Sequence, residues 1–203
     1  MLNAKKLQAA GDLDQALAAS EDLVLIDPLS EPVQKFKRQL EQAILERDFT
    51  AAMSSGYRYL DSEELAAARS AFSRAAELHP NLAEVAVALQ SVSNAEISQR
   101  VGLLSGRARQ AEAEEDWQQA VEAYSQILQL ESGSIDGLIG QARAQVRLSL
   151  DRKLVAYRGD FDSLLDSVVR EQARTTLNQA RELPSAGSRL LEQIASISAE
   201  LDK

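Results

Sequence analysis

Residues 11–28, GDLDQALAASEDLVLIDP, decide how the rest of the chain is read, because the stretch returns. A shift of 52 residues lays Ala16 on Ala68 and Ala120, Leu13 on Leu65 and Trp117, and Ser20 on Phe72 and Tyr124. Pro28, Pro80, Ser132 and Pro184 fall on the same grid, so three of the four prolines punctuate one period. Each copy has a large apolar residue, a small residue one turn on, a further position a turn later and a closing pair such as Leu23/Val24 or Ile127/Leu128. That is the spacing of a short amphipathic helix, with the small residue marking a close helix crossing. Self-similarity at a fixed period means one structural unit copied and stacked.

Between each short helix and the next lies a longer segment with two apolar stripes. In the first copy these are Val33, Phe36, Leu40 and Ile44, then Phe49, Ala52, Gly56 and Tyr59; in the second, Val85, Leu89 and Val92, then Ile97, Val101, Leu104 and Ala108. At about 100° per residue the second stripe is rotated by more than a quarter turn from the first. The spacing therefore predicts one long helix that packs its first half on the preceding short helix and its second half on the following one. The alternative is two helices broken near Arg47 and Gln99, where no glycine or proline punctuates the chain.

These residues resemble the tetratricopeptide repeat family. The stretch from Gly11-Asp12 to Asp27-Pro28 is similar to that family's second helix, with Ala16 as its packing alanine. Gly56, Tyr59, Ala68, Phe72, Ala75 and Pro80 match in the second copy. The third keeps Asp116, Trp117, Ala120 and Tyr124 but has Ala108 and Ser132 in place of the glycine and proline. The fourth keeps little beyond Pro184, with Gln172 in place of the alanine. The likeness covers about half the chain. The unit departs from the family's ~34-residue repeat by about five helical turns.

The expected architecture is thus all-α: an α-solenoid similar to a tetratricopeptide stack, built of antiparallel helix pairs in which short and long helices alternate. It forms one domain over residues 1–203, in units 1–28, 29–80, 81–132 and 133–184 with a terminal helix over 185–203. Residues 1–10 supply only part of the helix expected before Gly11, and the C-terminus lacks a helix stop. Both ends suggest a segment of a larger protein.

Ser30, Asn81, Ser134 and Ser185 are candidate N-caps, Asn81 with Glu84 as a capping box. The corners Asp61-Ser62 and Glu114-Glu115-Asp116 are tight. In the fourth unit, Gly159-Asp160 marks a turn about seven residues before its place on the grid. Phe161, Leu164, Leu165, Val168, Val169, Ala173, Leu177 and Ala180 then predict one helix from about Asp160 to Leu183.

Net charge is −9 over 203 residues, with acidic side chains in every segment. A nucleic-acid partner is not expected, since that requires an excess of Lys and Arg against phosphate. The basic concentration Arg143, Arg147, Arg152, Lys153 and Arg158 reads as a solvated helix face interleaved with Asp151 and Asp160. Without cysteine there is no disulfide and no thiolate metal site. No run is long enough for a membrane span, and no signal-peptide core opens the chain.

No catalytic constellation is visible, and neither a cofactor nor a metal is expected. His79, the single histidine, takes the place of Asp27 before proline and reads as a loop residue. The single tryptophan, Trp117, aligns with Leu13 and Leu65 and reads as core. The family resemblance implies a concave face made by the first helix of each repeat. Its spacing falls on Met53, Tyr57 and Leu60, on Ser105, Arg109 and Glu112, and on Tyr157, Phe161 and Leu164. Phe161 and Leu164 belong to an apolar stripe, which leaves Tyr57, Arg109 and Tyr157 as candidate partner-binding residues. The expected function is a non-catalytic scaffold for a protein or peptide. The alternative is a structural spacer or oligomerisation module, which leaves self-association open.

Overall fold

The computed structural model describes residues 1–184 and 187–203. They form α1 (Leu2–Ala9), α2 (Leu13–Ile26), α3 (Glu31–Asp61), α4 (Leu65–Leu78), α5 (Ala83–Ala113), α6 (Trp117–Leu130), α7 (Ile135–Gly159), a 3-10 turn (Phe161–Leu165), α8 (Ser167–Arg181) and α9 (Ser188–Leu201). The fold is all-helical, with helices packed on helices. The chain divides into two compact units, residues 1–96 and 97–203.

The period governs where helices begin and end. The short helices α2, α4 and α6 start at residues 13, 65 and 117, and the long helices α3 and α5 run over 31–61 and 83–113. Each offset is 52, to the residue. Both long segments are continuous through Arg47 and Gln99, so the two-helix alternative does not hold. Each corner before a short helix closes with one residue in the left-handed region: Gly11 at φ 88°, Glu63 at 59° and Glu115 at 55°. The following residue donates its N–H five residues back, Asp12 to Leu7, Glu64 to Tyr59 and Asp116 to Ala111. This C-terminal cap satisfies carbonyls that the ending helix leaves free.

In the first unit, Phe36 and Leu40 on α3 join Ala4 and Ala16 in one cluster. Further along α3, Ala52 and Met53 join Ala68, Phe72 and Ala75 of α4 and Val85, Ala88 and Val92 of α5. The two stripes of a long helix do therefore serve two neighbours, as their rotation requires.

Three positions 16 residues apart carry the close crossings. They hold Ala4, Ser20 and Phe36 in the first copy, Gly56, Phe72 and Ala88 in the second, and Ala108, Tyr124 and Gly140 in the third. Each trio has one ring and two small residues, and the ring moves from helix to helix. The Phe72 ring lies against Gly56 of the helix before it, and the Tyr124 ring against Gly140 of the helix after it; a Cβ at either glycine would overlap the ring. At interior packing density a ring fits only where its neighbours are small, so total volume is conserved while its source changes.

In the second unit, Leu104, Ala108 and Ala111 of α5 pack with Ala120, Ala123, Tyr124 and Ile127 of α6 and Ala144 of α7. A further cluster gathers Leu154, Leu164, Ala173, Leu177, Leu190 and Ile197. The helix expected from Asp160 to Leu183 is divided. Asp160 accepts the Ser163 N–H at 3.2 Å and caps the 3-10 turn. Asp166 accepts from Val168 and Val169 at 2.8 and 3.1 Å and starts α8. Two Asx caps inside one apolar stripe outweigh its periodicity, because each offers the backbone a local alternative to the helix. The restart at Ser167 falls two residues short of the grid position after Trp117.

Ser30 and Ser134 take N-cap positions, and Ser134 accepts the Gly137 N–H. Asn81 does not: α5 starts at Ala83, which gives the cap position to Leu82, 52 residues after Ser30. Ser185 lies outside the described residues. Among those described, no helix is long and apolar enough to cross a membrane.

Candidate interaction surface

The candidates Tyr57, Arg109 and Tyr157 stand on α3, α5 and α7. Tyr57, in the first unit, keeps 41% of its surface exposed while its ring meets Phe72 edge-on, centroids 5.1 Å apart. It is an anchored aromatic with one free edge. Of its two companions in the implied set, Met53 is buried and Leu60 is half-buried against the core.

Arg109, in the second unit, borders a groove of about 510 Å³ shared with Ser105, Tyr124, Asp136, Ile139 and Arg143. Its Nε donates to the Ser105 carbonyl at 3.2 Å, which leaves the far edge of the guanidinium at the groove. Glu112 accepts from two groove residues, Arg143 at 2.6 and 3.1 Å and the Tyr124 hydroxyl at 3.3 Å. Burial raises the Tyr124 hydroxyl above its ordinary pKa, with the Glu112 charge adding to it. The hydrogen bond to Glu112 makes Arg143 hold its proton more tightly. The phenol therefore stays neutral, and the pair forms a set polar floor rather than a mobile acid or base.

Tyr157 lines a different groove, of about 610 Å³, with Lys153, Val168, Gln172 and Thr176. Its ring is half-buried against the cluster that includes Leu154 and Leu164. Leu164 is buried and Phe161 packs beside it, as the apolar stripe requires. Arg109 and Tyr157 thus share a unit but not a groove.

Compared with protein-family models, curated proteins and solved structures, the chain matches none. Its surfaces are read from their own chemistry.

The five basic residues do not form one solvated face. Arg147 is buried, donates to the Pro184 carbonyl and stacks over the Trp117 ring, 5.3 Å from its centroid. Burial lowers its pKa from the ordinary arginine value. Trp117 is correspondingly half-buried at the rim of the core rather than inside it. His79 ends α4, with its ring edge on Phe49 at 4.9 Å and Glu46 at 3.6 Å.

Sequence reasoning missed the polar junction of the second unit. Glu115 is buried and accepts the backbone N–H groups of Arg189 and Leu190 at 2.8 and 3.1 Å, at the first turn of α9. Asp151 accepts from Arg189 and Gln193 at 2.9 and 2.8 Å. A carboxylate at a helix N-terminus meets unpaired N–H groups and the positive end of the dipole. Read locally, Glu115 is one acid in a run of four, and its partners lie more than 70 residues away. No local signal marks it.

Proposed function

We propose that the chain is a non-catalytic scaffold of helical repeats, related to the tetratricopeptide stack, that binds a protein or peptide along exposed faces of its long helices. The observation that carries this reading is the register. Three short helices, two long helices and three left-handed corners repeat at one interval, and the ring-and-small-residue trios conserve volume between copies. A chain assembled this way spends its buried residues on stacking copies and leaves functional variety to its surface. The polar groups gathered in the second unit bind one another and helix ends, which is the chemistry of a joint.

Selection of a random peptide library on the full chain tests the reading. A consensus ligand should emerge, and its affinity should fall at least tenfold with Arg109→Glu in protein whose helicity is unchanged. Failure to enrich any sequence on folded protein overturns it. The 31-residue helices, each about 46 Å long, favour a second reading as a rigid spacer or self-associating module. Light scattering that finds a monomer at all concentrations removes self-association.

A further inference from the structure

We propose that the outer face of α7 docks an amphipathic helix whose apolar side chains are flanked by acidic ones; this rests on the scaffold reading above and names its ligand class. Ile135, Leu138, Ile139 and Val146 are 70%, 51%, 59% and 53% exposed. Their spacing places them on one helical stripe about 16 Å long. Single exposed apolar residues are ordinary, but a contiguous stripe marks a surface that something covers.

The repeat supplies an internal control. At the equivalent positions α3 carries Glu31, Gln34, Lys35 and Gln42, and α5 carries Ala83, Ala86, Val87 and Asn94. The fold builds a long helix with polar residues in this register, so stacking does not demand the stripe on α7. Grooves border it on either side, one of about 510 Å³ containing Arg109 and Ile139, the other of about 730 Å³ containing Val146 and Lys153. This is the relief that receives a helix.

Charge selects the occupant. Across residues 135–159 five basic side chains stand against two acidic ones, in a chain whose net charge is −9. Arg143 is committed to Glu112, and Arg147 turns inward. Arg152 and Lys153 stand exposed beyond the C-terminal end of the stripe, and Arg152 donates to the neutral Gln118 amide oxygen at 2.9 Å. Arg109 faces the other flank across the groove; Asp136 lines that groove and Glu182 the groove of Lys153, so the basic side chains exceed the acidic ones without standing alone. A helix with carboxylates beside its apolar stripe complements this surface. A second copy complements it less well, because it brings the same excess of basic side chains on two chains that already repel.

The probes are two labelled 16-residue synthetic helices with leucine at the same stripe positions, one with glutamate and one with lysine at the flanks. Fluorescence anisotropy with the full chain should show the glutamate helix binding at least tenfold more tightly, and more weakly as salt rises. Ile139→Glu with Val146→Glu should lower that affinity tenfold or more, and Leu138→Ser several-fold, with circular dichroism unchanged. Arg152→Glu with Lys153→Glu should lower it at least threefold and flatten the salt dependence. Equal binding of both probes, or binding that survives Ile139→Glu/Val146→Glu, overturns the proposal. Library ligands that still bind that variant leave the scaffold standing and remove this face, whereas no ligand from either source removes both. Self-association abolished by Val146→Glu would make the face a self-contact and overturn the acidic partner.

Discussion

The corners at Glu63 and Glu115 have the same backbone and opposite fates. Each holds a non-glycine residue in the left-handed region and closes the same bond five residues back, at equivalent points of the repeat. Glu63 is exposed, and no hydrogen bond or ion pair of its side chain is seen among the described residues; Glu115 is buried and caps α9. The first copy places Gly11 there, the residue that adopts this conformation without strain. A repeat therefore transmits a backbone shape, while the use of the side chain depends on what the chain brings to that spot.

The ring positions give the largest test of this contrast. Phe72→Ala and Tyr124→Ala should each cost about 3 to 5 kcal/mol in urea unfolding, as buried rings do. Ser20→Ala, at the equivalent point of the first copy, should cost less than about 1 kcal/mol, because Phe36 supplies that ring and Ser20 only bonds the Leu17 carbonyl. A large loss at Ser20 would break the volume-exchange account.

Glu115→Ala should cost about 2 to 3 kcal/mol, since it strips two N–H groups of partners in a buried place. Trp117, the single tryptophan, reports the second unit by fluorescence. Glycines of that unit give the next contrast. Gly140→Ala should lose about 1 to 3 kcal/mol by driving a methyl into the Tyr124 ring. Gly102→Ala, in a helix interior with open space around it, should gain about 0.5 to 1 kcal/mol. The smallest effect separates the corners directly: Glu63→Gly should stabilise by about 0.5 to 1 kcal/mol by releasing left-handed strain. Glu115→Gly should still destabilise, because the same release comes with loss of the cap. If both stabilise, the Glu115 contact contributes nothing.

Much of the helical layout was readable because a period constrains every copy at once. Ala16, Ala68 and Ala120 are all fully buried, and both long helices are continuous. Reading failed where local chemistry competes with periodicity, as at Asp160 and Asp166, whose side chains bond their own backbone and end a stripe that looked uninterrupted. It also failed for Arg147, assigned to solvent as one of five basic residues, because the approach of Trp117 and the Pro184 carbonyl, distant in sequence, draws it inward. Of the candidate surface, Tyr57 and Arg109 were reachable through the spacing the family resemblance implies. The stripe on α7 was not, since four apolar residues at helical spacing read equally well as core.

By itself the sequence determined the all-helical class and the 52-residue interval. Periodicity, small residues and turn chemistry act over neighbouring residues and leave their mark in order along the chain. Tertiary structure decided which apolar stripe is covered and which is left bare, where each trio finds its ring, and that Glu115 caps a helix more than 70 residues away. Those outcomes depend on which surfaces meet once the helices pack, and burial belongs to the meeting of two surfaces rather than to either one alone.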